Sequence, residues 1–133
     1  MATVHELHQK GIPLAVASSS RRERLDRTLA RAQLDTIFAV SVAGDEIARG
    51  KPAPDIFLLA AERLGAPPSS CLVLEDSAPG VRAALAAGMT AIMVPDQHAP
   101  PPDILAASTL VLPTLEHVHA HLKRAAANGI IRA

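Results

Sequence analysis

Short apolar runs alternate along this chain with stretches in which apolar residues recur every three or four positions. Pro13-Leu14-Ala15-Val16-Ala17 is apolar throughout and is broken by Ser18-Ser19-Ser20. A run of this kind predicts a strand covered on both faces, followed by a polar turn. Leu25, Leu29 and Ala32 then repeat at helical spacing between Arg21 and Gln33. Phe38 to Val42 reads as a second strand, and Pro52 and Pro54 introduce a helix from about Asp55 to Leu64 that Gly65 ends. Cys71-Leu72-Val73-Leu74 makes a third buried strand, closed by Glu75-Asp76. Val81, Ala84, Leu85 and Ala87 line a helix ended by Gly88, and Thr90 to Val94 is a fourth strand.

The flanks are less regular. Val4 and Leu7 share the face of a short helix that stops at Gly11, and residues 95–102 form a Pro-rich loop. Leu110-Val111-Leu112 reads as an edge strand, Leu115 to Ala125 as a last helix, and residues 125–133 as a fraying end. Strands alternating with helices of this length imply an α/β fold, with parallel strands joined by right-handed crossovers. Residues 1–133 form one domain, with no internal repeat and no boundary.

Composition narrows the function classes. Apolar residues are 49% of the chain and aromatics 2%, so Ala, Leu, Val and Ile must build the core. Lys+Arg and Asp+Glu are both 13, so net charge offers no general pull toward nucleic acid or acidic membranes. Any anion binding must be local. Cys71 is the only cysteine, which rules out an internal disulfide and points to a reducing compartment. No apolar run approaches the roughly 20 residues that span a bilayer, and residues 1–7 lack the pattern of a signal peptide. The cytoplasm is the expected location.

In an open parallel sheet, ligands bind at the carboxyl ends of the strands. There the first strand ends at Ser18-Ser19 and the third at Glu75-Asp76, and Lys51 lies on a Gly-Lys-Pro loop just before a helix. Two adjacent carboxylates repel and suit a hard cation such as Mg²⁺. Lys51 would neutralise a phosphoryl oxygen as a point charge. The Ser18 hydroxyl, with the backbone N–H groups of its turn, could donate to the same group. Metal, ammonium and hydroxyl around one anion make a recipe for phosphoryl transfer, where catalysis is mostly positioning and electrostatics. Singly, each has a plainer reading: a helix cap for the serines and the acidic pair, a solvated loop charge for the lysine. Their joint order and spacing are harder to obtain by accident.

Three stretches, LAVASSSRRE (14–23), GKPAPDIFLLAAERLG (50–65) and CLVLEDSAPGVRAALAAGM (71–89), resemble the haloacid dehalogenase superfamily. The similarity is to the branch containing β-phosphoglucomutase and phosphoglycolate phosphatase. It implies a Rossmann-like parallel sheet with flanking helices and a Mg²⁺-dependent phosphatase or phosphomutase acting on a small phosphorylated metabolite. It also implies roles. Ser18 matches the hydroxyl that bonds the transferring phosphoryl group. Lys51 matches the lysine that pairs with the nucleophilic aspartate and the phosphoryl oxygens. Glu75 and Asp76 match the acidic pair that holds Mg²⁺. Ser19, Arg21 and Arg22 match the periphery of the phosphate site, and Ser77 and Asp55 match supporting positions.

The departure from the family pattern lies in its first motif. Asp-x-Asp, whose first aspartate is phosphorylated and whose second is the acid/base, occurs nowhere in these 133 residues. The cap domain that lies between the first and second motifs is missing too. The absent strand is central in the family, between the strand ending at Ser18 and the one ending at Glu75. Its loss predicts unpaired sheet edges, repaired by dimerising or by repacking. The fragment is then expected to be inactive, the alternative being a non-catalytic protein of the same fold that works through contacts at its sheet edge. A response-regulator receiver shares the alternating pattern but fits poorly, because the acidic pair lies late in the chain.

His117, His119 and His121 look like a metal tract, but a partly exposed helix face is the plainer reading. The arginines at 21, 22, 24, 27 and 31 are interleaved with Glu23 and Asp26 and lack aromatic partners for bases, so they read as a solvated face, with no nucleic-acid partner.

Overall fold

The computed structural model describes residue 5 and residues 8–38, 40–94, 110–111 and 129–132. Its strands are β1 (Leu14–Ala17), β2 (Val40–Val42), β3 (Cys71–Glu75), β4 (Thr90–Met93), β5 (Leu110–Val111) and β6 (Gly129–Arg132). Its helices include α1 (Arg22–Arg31), α2 (Asp55–Leu64) and α3 (Ala78–Ala86). The strands form one sheet in the order β2-β1-β6-β3-β4-β5, every adjacent pair parallel.

Alternation along the strands sorts the core into two layers. Ala15, Ala17, Cys71, Val73, Ala91 and Met93 face α2 and α3, packing on Ile56, Phe57, Ala60, Val81, Ala83 and Ala84. Leu14, Leu72, Leu74 and Ile92 face the other way, onto Leu25 and Leu29 of α1 and onto Ile37 and Phe38. Successive Cβ atoms of a strand point to opposite faces, so uniformly apolar runs are what a sheet covered on both sides requires. Alanines at 60, 61, 83 and 84, all buried, let α2 and α3 lie close against the strands. The helix ends follow local chemistry: Gly65 closes α2 at φ 71°, and the Ser77 side chain caps α3 by accepting from the Gly80 N–H.

The C-terminal segment overturns one expectation. Residues 129–132 do not fray; they are the central strand. β6 pairs with β1 through Leu14↔Ile130 and Val16↔Arg132, and with β3 through Cys71↔Gly129 and Leu74↔Arg132. Backbone groups at the facing edges of β1 and β3 need partners in a dry interior, and a late segment of this same chain supplies them. The sheet is thus repacked, and β1 and β3 do not pair with each other. The expected first helix lies largely outside the described residues, and the 95–102 loop and the helix over 115–125 with its three histidines lie wholly outside. No helix among the described residues is long and apolar enough to cross a membrane.

Candidate functional site

β1, β6 and β3 are parallel neighbours, so Ser18 and the Glu75-Asp76 pair emerge at the same rim, two strand spacings or roughly 10 Å apart. Ser18 is half-buried; its N–H donates to the Val42 carbonyl and its hydroxyl accepts from the Ser20 N–H at 3.1 Å. Ser19 is exposed. The turn lies hard against the segment after β2: the Gly44 N–H donates to the Ser20 carbonyl at 2.7 Å, and a Cβ at Gly44 would overlap the Ser19 carbonyl. Only glycine lets the two loops meet so closely.

Lys51 comes from the loop before α2 and reaches across to β3. Its Nζ lies 3.0 Å from Glu75 Oε2, with the two side chains 11% and 3% exposed, and 5.2 Å from the centre of the Phe57 ring. A buried ammonium beside a carboxylate and over an aromatic face is compensated twice. The other Glu75 oxygen, Oε1, accepts from the Asp76 N–H at 3.0 Å, the Ser77 N–H at 3.2 Å and the Ser77 hydroxyl at 3.0 Å. The Ser77 hydroxyl in turn accepts from the Gly80 N–H at 3.2 Å. Burial pushes the Glu75 carboxyl up from the ordinary carboxylate range, and Lys51 pulls it partly back.

The acidic pair, which sequence order treats as a unit, is therefore split. Glu75 points inward and accepts four hydrogen bonds, three on Oε1 and one on Oε2, whereas Asp76 stands exposed at the rim. The chemistry of the donor set tests a divalent cation directly. Asp76 offers exposed hard oxygen. Glu75 does not fit as a ligand while it holds Lys51 and the Ser77 turn. Among the described residues, no three His, Cys, Asp or Glu side chains gather as a metal centre.

Other named residues have partners or places of their own. The Arg22 guanidinium is engaged by Asp26 at 2.9 Å, by Ser41 Oγ at 2.6 Å and by Glu46. Asp55 pairs with Arg49 at 2.9 Å. Arg21, just before α1, and Arg24 and Arg31 on it are exposed, and Arg27 pairs with Glu23 at 3.2 Å. Cys71 is buried at the start of β3, where burial pushes its thiol up.

Two site residues escaped the sequence reading. Phe57 serves Lys51 although its spacing marks it only as core. Gly80 lies in the first turn of α3, and a Cβ there would overlap the Glu75 carboxylate. A glycine inside a helix, at a cost of about 1 kcal/mol relative to alanine, was the available signal.

Comparison with known proteins shows similarity to a family of hydrolases. The family model described as haloacid dehalogenase-like hydrolase matches residues 1–88. Over 93 residues the chain is 45% identical to the bifunctional riboflavin kinase/FMN phosphatase of Arabidopsis thaliana, covering 69% of this chain and 24% of that protein. Over 82 residues it is 44% identical to the fructose-1-phosphate phosphatase YqaB of Escherichia coli, covering 62% of this chain and 44% of the relative. The crystal structure of a HAD family hydrolase from Deinococcus radiodurans, with bound phosphate and sodium, superposes with TM-score 0.80 at 34% identity, over 92% of this chain and 57% of that one. The chain thus spans about a quarter to a half of the length of these curated relatives.

Proposed function

The chain belongs to the haloacid dehalogenase-like hydrolases, and from that premise we propose that it is the phosphoryl-binding core of a Mg²⁺-dependent phosphatase or phosphomutase for a small phosphorylated metabolite. One observation carries the reading: Lys51 crosses to the carboxyl end of β3 and pairs there with Glu75, the neighbour in sequence of the exposed Asp76, on the rim where β1 delivers Ser18. Ser18 and Ser19 offer hydroxyls and turn amides to a phosphoryl oxygen. Lys51 offers positive charge held in a dry setting, where electrostatics act more strongly than in water. Asp76 would hold the cation, which would neutralise charge on the phosphoryl group. The phosphate monoesters named for two relatives, FMN and fructose 1-phosphate, support a small phosphorylated substrate.

A second reading, a non-catalytic protein of the same fold, is favoured by the sheet order. The slot between β1 and β3 holds residues 129–132, and no Asp-x-Asp occurs in the sequence to attack a phosphoryl group. One experiment separates the two. The purified 133-residue chain is assayed on a panel of phosphate esters with Mg²⁺, and inorganic phosphate binding is followed by ³¹P NMR, beside Asp76→Ala and Lys51→Ala. Phosphate binding lost in both variants, without turnover, supports a phosphoryl-binding core that lacks its nucleophile. Turnover lost in Asp76→Ala means another group serves as nucleophile. Absence of any phosphate binding sinks the first reading and leaves the second.

A further inference from the structure

β2 is an outermost strand of the sheet, paired with β1 on one flank and with no described strand on the other. The Val42 carbonyl marks the inner flank, since it accepts from the Ser18 N–H at 3.0 Å. Main-chain groups of successive strand residues point alternately to the two flanks, so Ser41 and Ala43 turn theirs outward. An edge of this kind is a template for a further strand. In a parallel addition, one residue of the incoming strand would donate its N–H to the Ser41 carbonyl and accept from the Ala43 N–H.

Side chains already hold both places. The Ser41 carbonyl accepts from Arg22 Nη2 at 2.9 Å and from Arg63 Nη1 at 2.8 Å. A carbonyl oxygen has two lone pairs, so none is left for an incoming N–H. The Ala43 N–H donates to Glu46 Oε2 at 2.7 Å. The three side chains also bind one another: Arg63 Nη2 donates to Glu46 Oε1 at 2.8 Å, and Arg22 Nη2 donates to Glu46 Oε2. They arrive from α1, from the turn after β2 and from the last turn of α2.

We propose that Arg22, Glu46 and Arg63 form an edge guard: they stand in for one residue of a neighbouring strand and so close β2 to a second copy of this chain. The guanidinium groups donate where an incoming N–H would, and the carboxylate accepts where an incoming carbonyl would. A second copy is the partner the guard excludes, because this edge can pair with itself. Two β2 strands meeting about a two-fold axis would run antiparallel, with Ser41 opposite Ser41, and would join two sheets into one. Charged donors and acceptors form stronger hydrogen bonds than the neutral amides that would replace them, so the closed edge wins the competition. The guard acts at the side of the sheet and is independent of the phosphoryl-binding role proposed above.

Sedimentation velocity of the 133-residue chain over a range of concentrations tests this, with circular dichroism confirming that each variant is folded. Removing both guanidinium groups, in Arg22→Ala/Arg63→Ala, should tighten self-association by about tenfold or more, the equivalent of at least one charge-assisted hydrogen bond. Arg49→Ala breaks an ion pair with Asp55, away from the β2 edge, and should sediment as the parent does. Adding Ser41→Pro to the double variant removes the outward N–H of the edge and should restore the parent's behaviour. A folded double variant that sediments like the parent would overturn the proposal. So would association that Ser41→Pro leaves in place, since it would then run through another surface. Should the double variant fail to fold, Arg63→Ala alone, which keeps Arg22 on Ser41, should still associate more strongly than Arg49→Ala, and equal behaviour of those two would sink the guard.

Discussion

At the scale of single residues, one side chain outside the rim, that of Glu46, holds the loops that build it. Glu46 accepts from Arg63 at 2.8 Å, from the Ala43 N–H at 2.7 Å and from Arg22, so it ties α1, the segment after β2 and α2 together. The Arg63 hydrogen bond, with help from Ala43 and Arg22, holds its carboxyl at about 2 against an ordinary value of 4.5. A depressed carboxyl contributes stability that is present above the unfolded value and lost as pH falls through the folded one. The parent chain should therefore lose on the order of 2 kcal/mol from this site between pH 5 and pH 2, allowing for screening by water. Urea midpoints at several pH values should fall more steeply for the parent than for Glu46→Gln, and equal slopes would remove Glu46 from the account. Gly80 makes the opposite kind of case. Alanine is intrinsically the better helix residue by about 1 kcal/mol, yet Gly80→Ala should lower the melting temperature, because overpacking against Glu75 costs about 1–3 kcal/mol. A rise in melting temperature would mean that the carboxylate can move aside freely.

Among the elements, α2 was the most legible and β6 the least. Asp55 to Leu64 is bracketed by Pro54 and Gly65, residues whose backbone preferences start and stop a helix locally, and the expected bounds are the observed ones. The helix over Arg22–Arg31 and the strands around 14–17, 71–75 and 90–93 follow from periodicity, with ends shifted by a residue or two. β6 has four residues at the end of a chain, a setting that predicts fraying. What makes it a strand is the pair of edges that β1 and β3 present from far away in sequence. A proline tests that placement. Ile131→Pro, in the centre of the sheet, should orphan a ladder group at about 1–3 kcal/mol and lower the urea midpoint clearly. Val111→Pro, on the outermost strand, should cost less, because an edge group can turn to water. Equal losses would show that β6 does not hold the central place.

On the scale of the whole molecule, the sheet is closed by its last segment, so β1 and β3 must wait for residues 129–132 to complete their pairing. Facing strand edges left open are templates for association. A chain ending at residue 128 should therefore self-associate at micromolar concentration while the full chain sediments as the smaller species. A monomeric, folded shorter chain would mean that β1 and β3 can pair directly. The same geometry bears on function, since whatever occupies the central slot sets which residue arrives at the rim between Ser18 and Asp76.

Much of the molecule was decided by local sequence. Apolar runs set the strands, helical spacing set α1 to α3, and the order of Ser18, Lys51 and the acidic pair carried the family resemblance. Those features depend on neighbours within a few positions, which a sequence displays directly. Tertiary structure alone decided the rest: that residues 129–132 fill the centre of the sheet, that Arg22 serves Glu46 and Ser41, and that Glu75 turns inward while Asp76 faces out. Each of these depends on groups brought together from distant parts of the chain. Hydrogen-bond satisfaction and burial chose among options that the residue types left equal.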